Sequence, residues 1–356
     1  MIRNICRRLG YALVAMASMA SLSAQPSPPP QVSPQRIVAV GDLHGDFDAW
    51  RQIALKAHII DSRNRWAGGS TILVQTGDIV DRGPDSLKII IHLMKLQAQA
   101  ASAGGRVVTL VGNHEAMNMT GDLRYVSPGE YAAFANADSA RLRERVYVAT
   151  KVAIVTAYRV QSPTMTDDAI HAAWLAQTPL GKLEHQAAWS PRGQLGRWTI
   201  ANQAIAKVGD TVFVHGGISA SYSANSFQSI NRRVAAALKA RDNSEASILY
   251  DPFGPLWYRG LVTRKEDGEQ PSAFPAGYPS IDDELDTALR TTGARRMVIA
   301  HTPRLAGIEI SHGGRLVRID TGISSYYGGK LSYLEIRGNQ VMPYNFDRSP
   351  PSAPAH

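Results

Sequence analysis

The strongest constraint in this sequence is a set of short apolar runs, rich in β-branched residues, that each end in a polar turn. Six such runs are RIVAV, TILVQT, RVVTLV, DTVFV, RRMVIA and RLVRI. Runs of this length and composition predict buried β-strands. Helix-like stretches follow the first two, FDAWRQIALKAHII and DSLKIIIHLMKLQAQA, so the first half alternates strand and helix. The pattern therefore predicts an α/β fold around an open sheet.

The turns that follow these runs carry side chains that can bind a metal. They are GDLHG at 41–45, GDIVDRG at 77–83, GNHE at 112–115, HGG at 215–217, HTP at 301–303 and DTG at 320–322. One such strand end is explained by ordinary turn chemistry. In open α/β sheets, however, functional groups gather in the loops beyond the carboxyl ends of the strands. Several ends of this kind together predict a single metal site.

The residue types at these turns indicate which chemistry the site supports. Carboxylate, amide and imidazole ligands without a thiolate suit Mn, Fe, Zn, Co or Mg ions. Two such ions that share a carboxylate can clamp a phosphate and generate a hydroxide nucleophile. Phosphoester hydrolysis also needs cations on the non-bridging oxygens and an acid for the leaving alcohol. Arg82, on the same loop as Asp78, suits the first role, and His114 suits the second.

The same motifs carry a family resemblance. GDLHG, GDIVDRG, GNHE, HGG and a late His resemble the calcineurin-like metallophosphoesterases, and VDRG with GNHE resembles the phosphoprotein phosphatase family among them. GNHEAMNM, SPRGQLGRW at 190–198, GPLWYRG at 254–260 and IDTGISSYYGG at 319–329 are most similar to the bacterial Shewanella-like protein phosphatases. The resemblance covers about residues 37–340. It implies an α-β-β-α sandwich of two mixed sheets, with a mainly helical insertion over the active site.

The resemblance also implies which residues bind two divalent metal ions, with manganese the preferred identity. The implied ligands are Asp42, His44, Asp78, Asn113, His215 and His301. Asp42 and His44 would bind the first ion, and Asp78 would bridge both. The remaining three ligands would complete the second ion's site.

Catalytic and phosphate-binding roles are implied in the same way. His114 would be the general acid, and Asp81 would hold its imidazole, which is a common arrangement for a functional histidine. Phosphate would be bound by Arg82, Asn113, His114, Arg259 and Tyr326. Tyr327, beside Tyr326 at the site edge, is nearly as good a candidate.

One segment departs from the family pattern. About 100 residues separate His114 from His215, roughly twice the separation usual in the eukaryotic Ser/Thr enzymes. The extra length, about 121–202, contains helix-like pieces, and we interpret it as a lid or side wall over the metals. Because insertions often determine substrate choice, Ser/Thr specificity does not carry over from the family.

The predicted function is that of a dimetal-dependent phosphomonoesterase, with direct attack on the ester by a hydroxide that the ions generate. The expected substrates are phosphorylated proteins or peptides, at tyrosine or serine/threonine, or small phosphomonoesters. One alternative is a nucleotide-directed phosphoesterase or a diadenosine-tetraphosphate-type hydrolase. Another is a noncatalytic phosphate-binding envelope protein. Nucleic acid is not an expected partner, because no dense Lys/Arg run with interleaved aromatics is present, and we expect a monomer.

The ends of the chain predict export and a single folded domain. Residues 1–24 combine Arg3, Arg7 and Arg8 with an apolar stretch, which is typical of a signal peptide, an uncleaved anchor helix being the alternative. Residues 25–35 are a Pro-rich linker, 36–346 the catalytic domain and 347–356 a disordered tail. We therefore expect a periplasmic or secreted protein with no stable membrane span after cleavage. Its only cysteine, Cys6, would leave with the signal, which excludes disulfides and a cysteine nucleophile.

Overall fold

A computed structural model of the chain describes residues 35–264 and 274–349. The predicted signal peptide at 1–24 lies outside these ranges. So do residues 25–34 of the predicted linker and 350–356 of the predicted tail. Within the described ranges, no helix is both long and apolar enough to span a membrane.

The described residues form ten strands and twelve α-helices. The strands are β1 Arg36–Val40, β2 Ile72–Gln75, β3 Arg106–Thr109, β4 Ile205–Val208, β5 Thr211–Val214, β6 Arg296–Ile299, β7 Glu309–Ser311, β8 Leu316–Arg318, β9 Leu331–Arg337 and β10 Gln340–Phe346. The helices are α1 Phe47–Lys56, α2 Ser86–Ser102, α3 Asn113–Thr120, α4 Pro128–Ala132, α5 Ser139–Gln161, α6 Asp167–Gln177, α7 Lys182–Ala188, α8 Gln194–Ala201, α9 Ala220–Ser223, α10 Phe227–Ala240, α11 Gly260–Thr263 and α12 Ile281–Thr292.

The strands form two mixed sheets of five. The order in the first sheet is β10-β9-β1-β2-β3, and the order in the second is β4-β5-β6-β8-β7. Strands β1, β2 and β3 run parallel, as do β5, β6 and β8. The outer pairings, β1 with β9, β9 with β10, β4 with β5 and β7 with β8, are antiparallel. Each sheet therefore has three parallel strands whose carboxyl ends lie at one edge.

The two sheets pack face to face, and helices cover their outer faces. On β1, Ile37 and Ala39 belong to a core shared with residues of the second sheet, such as Phe213 and Val298. Val38 and Val40 point the other way, into the core that includes the α1 and α2 side chains. Both faces of β1 are buried, which explains why its sequence is apolar throughout. The predicted α-β-β-α sandwich is confirmed.

The predicted insertion is mainly helical. It contains α4 to α8, and α5 is a helix of 23 residues with only Ser139 and Tyr147 buried. Its first part lies against the loop after β2, where Arg82 donates a backbone hydrogen bond to the carbonyl of Tyr125. The insertion thus begins beside the residues predicted to be catalytic, whereas α5 is largely exposed.

Candidate metal and active site

The predicted site residues follow the parallel strands of both sheets. Asp42 and His44 follow β1, Asp78 follows β2, and Asn113 follows β3. From the second sheet, His215 follows β5 and His301 follows β6. The structure buries all six side chains, with exposed fractions of 4% or less. The site therefore lies where the carboxyl ends of the two sheets meet.

One group of ligand atoms surrounds His215. Its Nδ1 faces the carbonyl of Thr76 at 2.9 Å, so Nδ1 carries the hydrogen and Nε2 is left with a lone pair. That Nε2 lies 3.0 Å from Asn113 Oδ1, 3.2 Å from His301 Nδ1 and 3.3 Å from Asp78 Oδ2. These are the residues predicted to complete the second metal's site.

A second group of ligand atoms also includes Asp78. Its Oδ2 lies 3.8 Å from His44 Nε2 and 3.9 Å from His114 Nε2. His44 Nδ1 faces the carbonyl of Val80 at 3.0 Å, which again leaves Nε2 free to coordinate. Asp78 is thus shared by both groups, as expected of a bridging ligand. His114 is predicted to be the acid, but the distance of its Nε2 from Asp78 also places it in the first ion's group.

The residues fit a pair of divalent ions. Around His215, four atoms that accept hydrogen bonds face one another. A single proton can bridge only one pair of them, so without a cation the remaining lone pairs repel one another. Asp42 Oδ1 is buried and has no hydrogen-bond partner among the described residues. Burial and the neighbouring Asp320 raise the pKa of Asp42 well above its ordinary range. Bound cations would satisfy these atoms and favour the ionised carboxylates.

His114 and Asp81 form a hydrogen-bonded pair beside these groups. His114 Nδ1 lies 2.5 Å from Asp81 Oδ2, and the other Asp81 oxygen accepts a bond of 2.9 Å from the Asn118 amide. The His114 backbone N–H donates to Asp78 Oδ1 at 2.9 Å. The imidazole is therefore fixed at Nδ1 and presents Nε2 to the site.

The environment divides the histidines into two classes. Burial lowers the pKa of His44 to about 3 and that of His301 well below its ordinary value, so both rings are neutral and able to coordinate at neutral pH. Burial also lowers the pKa of His114, but Asp78 and Asp81 outweigh it and the net pKa is raised. His114 is thus the ring suited to hold a proton for transfer.

Arg82 is free to bind an anion. Its guanidinium carbon lies 4.6 Å from the ring centre of Tyr125, 4.8 Å from Tyr326 and 5.2 Å from Tyr327. Among the residues that the structure describes, no carboxylate forms an ion pair with it. Three aromatic faces therefore orient the cation without neutralising it.

The other predicted phosphate-binding residues lie at the edge of the site. Arg259 is exposed, and its Nη1 donates to the carbonyl of His301 and to Thr302 Oγ1, each at 2.9 Å. Tyr326 is 62% exposed, whereas Tyr327 is partly buried and its ring lies 5.5 Å from that of His44. Both tyrosines contact Arg82, and Tyr327 lies closer to the metal ligands.

The loops of the site have unusual backbone conformations. His44, Asp78, Asp81, Arg82 and His301 all have positive φ angles, between 43° and 71°. Non-glycine residues in this region are strained, and such strain is typical of functional sites. Gly45, with φ of 64°, allows the first loop to approach Gly83, whose carbonyl oxygen would lie 2.5 Å from a Cβ at this position.

Four residues with clear contacts here had no predicted catalytic or metal role. Asp320 is 1% exposed and lies near Asp42, whose pKa it raises. Glu115 accepts hydrogen bonds from the backbone of Asp78, Ile79 and Gly112, and these bonds hold the loop in place. Asn118 and Glu130 both bind Asp81. Of these four residues, only Asp320 could have been found from the sequence, because it follows an apolar run as the predicted ligands do. The contacts of the other three depend on the path of the chain.

Comparison with known proteins places these features in a family. Residues 35–305 match the family model described as calcineurin-like phosphoesterase. The chain is 33% identical over 312 residues to Shewanella-like protein phosphatase 2 of Arabidopsis thaliana, which covers 85% of this chain and 75% of that protein. It is 26% identical over 317 residues to Shewanella-like protein phosphatase 1 of Plasmodium berghei, covering 86% and 73%.

A solved structure is also similar to the chain. It is the cold-active protein-tyrosine phosphatase of a psychrophilic Shewanella species, with a TM-score of 0.63 and 26% sequence identity. The alignment covers 89% of this chain and 79% of that one. A serine/threonine phosphatase from Saccharomyces cerevisiae, with 14% identity and a TM-score of 0.50, is similar in fold alone.

Proposed function

The chain belongs to the calcineurin-like phosphoesterase family and is a metal-dependent phosphoesterase, and on that premise we propose that it hydrolyses phosphomonoesters on proteins. The observation that carries the proposal is the His114–Asp81 pair, which lies beside two converging ligand groups and an unpaired Arg82. An acid, a cation and a two-ion site are the parts that monoester hydrolysis needs.

The residues divide the reaction between them. Divalent ions bound by Asp42, His44, Asp78, Asn113, His215 and His301 would neutralise phosphate charge and lower the pKa of a coordinated water. Arg82 binds the non-bridging oxygens on the solvent side, and Arg259 contributes a second cation at the edge. The rings of Tyr125, Tyr326 and Tyr327 orient the Arg82 guanidinium.

His114 supplies the proton for the leaving group. Asp81 holds Nδ1–H, so the proton at Nε2 is the one that reaches the departing oxygen. The nearby Asp78 and Asp81 outweigh burial and raise the pKa of His114, which favours the protonated ring. Asp81 is therefore an orienting group that does not itself transfer a proton.

We infer that the substrate is a phosphorylated protein or peptide, with phosphotyrosine tested first. Support comes from the tyrosine phosphatase similar in structure and from the two Shewanella-like protein phosphatases similar in sequence. Manganese is the ion proposed among those that oxygen and imidazole ligands without thiolate suit, which also include Fe, Zn, Co and Mg. We also propose that residues 1–24 direct export to the periplasm or medium, and that the enzyme acts as a monomer.

A substrate panel tests this function. The protein, loaded with manganese, is assayed on phosphotyrosine, phosphoserine and phosphothreonine peptides, on 4-nitrophenyl phosphate, and on bis(4-nitrophenyl) phosphate and diadenosine tetraphosphate. We expect the phosphopeptides to give kcat/KM values at least tenfold above those of the bis-esters. Preference for the bis-esters or diadenosine tetraphosphate would instead assign the chain to nucleotide-type chemistry. Inactivity on every monoester would refute the proposal.

A further inference from the structure

The loop of residues 81–84 carries two functional side chains on a strained backbone. Asp81 and Arg82 are consecutive non-glycine residues with φ angles of 71° and 70°. Such a backbone conformation is strained and persists only where surrounding contacts hold it. The contacts that hold this loop therefore influence where Asp81 and Arg82 point.

The first part of the insertion, residues 125–130, contacts every residue of that loop. The Asp81 N–H donates to Glu130 Oε1 at 2.8 Å, and the Arg82 N–H donates to the Tyr125 carbonyl at 2.9 Å. Ser127 Oγ donates to the Gly83 carbonyl at 3.0 Å.

Gly129 completes the contact through close packing against Pro84. A Cβ added at Gly129 would lie 2.4 Å from the Pro84 Cβ, so α4 approaches the loop as closely as glycine allows. Three hydrogen bonds and one packing contact thus hold segment 125–130 against the loop.

Glu130 is the buried member of this set. It is 2% exposed, and besides the Asp81 N–H it accepts a hydrogen bond from Ser86 Oγ. No cation forms an ion pair with it among the described residues. Burial, together with the charge of Asp81, raises the pKa of Glu130 to about 8. A buried carboxyl of this kind is a poor source of stability compared with an apolar residue of similar size.

The geometry links Glu130 to the general acid through one residue. Glu130 holds the Asp81 backbone, and the Asp81 carboxylate holds His114 Nδ1 at 2.5 Å. Asn118, on the helix that carries His114, binds the other Asp81 oxygen. Displacement of the Asp81 backbone would therefore displace the hydrogen bond that orients the acid.

We propose that segment 125–130 positions the Asp81–His114 pair for proton transfer, with Glu130 as its principal positioning residue. The inference rests on the proposed function and assigns this part of the insertion a role other than substrate choice. The helices α5 and α6 are not part of this role, since α5 packs mainly on α6 and α7.

Leaving-group dependence tests the proposal, because a misplaced acid matters most when the leaving oxygen is basic. The variants Glu130→Ala, Glu130→Gln and His114→Asn are compared with wild type on phenyl phosphate and on 4-nitrophenyl phosphate. Asp138→Asn is the matched control, since that exposed carboxyl pairs, among the described residues, only with exposed Arg141.

For Glu130→Ala we expect kcat on phenyl phosphate to fall about tenfold or more, and kcat on 4-nitrophenyl phosphate to fall less than about threefold. KM should stay within about twofold, because phosphate binding is retained. Glu130→Gln should recover most of the rate, since its amide oxygen still accepts from the Asp81 N–H. In the His114→Asn background, Glu130→Ala should cost nothing further.

A second variant separates positioning from folding. Gly129→Ala keeps every polar group but forces α4 away from Pro84, so it should show the same leaving-group dependence with a smaller loss. A readout independent of turnover is the low-field proton NMR signal expected from the short His114–Asp81 hydrogen bond in the zinc-loaded protein. That signal should be absent in His114→Asn and shifted in Glu130→Ala.

Equal losses of kcat on both substrates in Glu130→Ala would overturn the proposal. Wild-type kinetics together with an unshifted NMR signal in Glu130→Ala and Gly129→Ala would also overturn it. If wild type hydrolyses neither ester, the proposed function itself fails and this inference fails with it. An active wild type with unaffected variants contradicts only the positioning role.

Discussion

At the scale of single residues, the buried carboxylates explain why the site needs cations. Asp42, Asp78 and Asp320 are all about 2% exposed or less, and the charges of Asp320 and Asp78 both raise the pKa of Asp42. Burial raises the pKa of Asp320 to about 6, and the charge of Asp78 contributes. Without metal these groups repel one another at neutral pH, whereas bound ions convert the repulsion into attraction.

The Asp320→Asn variant should therefore have opposite effects on stability and on metal binding. In chelator at pH 7.5, removing this charge should stabilise the protein by roughly 3 kcal/mol, because the folded pKa of about 6 lies above the unfolded value of about 3.9 and the full cost of ionisation is present above about pH 6. Affinity for Mn²⁺ should fall roughly tenfold, since a nearby carboxylate is lost. Urea unfolding and metal titration measure the two effects. Lower stability in chelator would contradict this account.

The strand-end residues could be predicted from the sequence because their signal is local. An apolar run followed by a ligand-type side chain identifies Asp42, His44, Asp78, His215 and His301 without knowledge of the chain's path. Asp320 follows the same kind of run but is a single acid in a short motif, so its neighbour Asp42 could not be inferred. The contact between Glu130 and Asp81 joins residues 49 apart and depends on how the insertion folds.

At the scale of elements, the insertion has its own buried centre around His185. This ring packs against Tyr131, Phe134 and Trp189. Burial, with a contribution from Lys182, lowers the pKa of His185 to about 4. The neutral ring therefore belongs to the packing that joins α4 to α7.

Acidification should weaken this packing. The unfolded chain binds a proton at His185 near pH 6.5, but the folded chain does so only near pH 4, so stability is lost as pH falls through that window. By pH 5 the loss is roughly 2 kcal/mol. Wild type should lose that much more stability than His185→Phe between pH 7 and 5, measured by urea unfolding. Identical pH dependence in the two proteins would show that His185 titrates normally.

The structure of the insertion was only partly predictable from the sequence. Its helical character was predicted, because its pieces have helical patterns and few breakers. Its relation to the catalytic loop was not, since Tyr125, Ser127 and Glu130 carry no motif. Their partners are backbone groups of residues 81–83, and sequence patterns do not report backbone hydrogen bonds between distant segments.

At the scale of the whole molecule, the candidate metal site joins the two sheets. Asp42, His44, Asp78 and Asn113 follow strands of the first sheet, whereas His215 and His301 follow strands of the second. The sandwich was predictable as an α/β fold from strand and helix alternation, but the pairing of two mixed sheets came from the family resemblance. Ions bound across the junction would stabilise the folded state by binding it preferentially.

Chelation should therefore lower the thermal stability of the full catalytic domain. At an ion concentration 100 times Kd, each ion adds about 2.7 kcal/mol, which for a domain of this size corresponds to several degrees in Tm. Scanning calorimetry in EDTA, and again after Mn²⁺ is restored, measures the change. The variant His215→Ala, which lacks a ligand of one ion, should respond less than wild type. An unchanged Tm would contradict binding at the junction.

In the proposed mechanism a two-ion site works with His114 as its general acid. His114 Nε2 lies 3.9 Å from Asp78 Oδ2, so the same residue could by distance be a metal ligand. The two roles predict different behaviour on substitution, because a lost acid leaves the ions in place whereas a lost ligand does not.

The decisive measurement is turnover of a phosphotyrosine peptide and metal content, determined on the same preparation of His114→Asn. If His114 is the general acid, we expect kcat to fall at least about 100-fold while two ions per chain are retained. An unchanged rate would contradict the acid role. Loss of an ion together with activity would contradict it as well, and would make His114 a metal ligand.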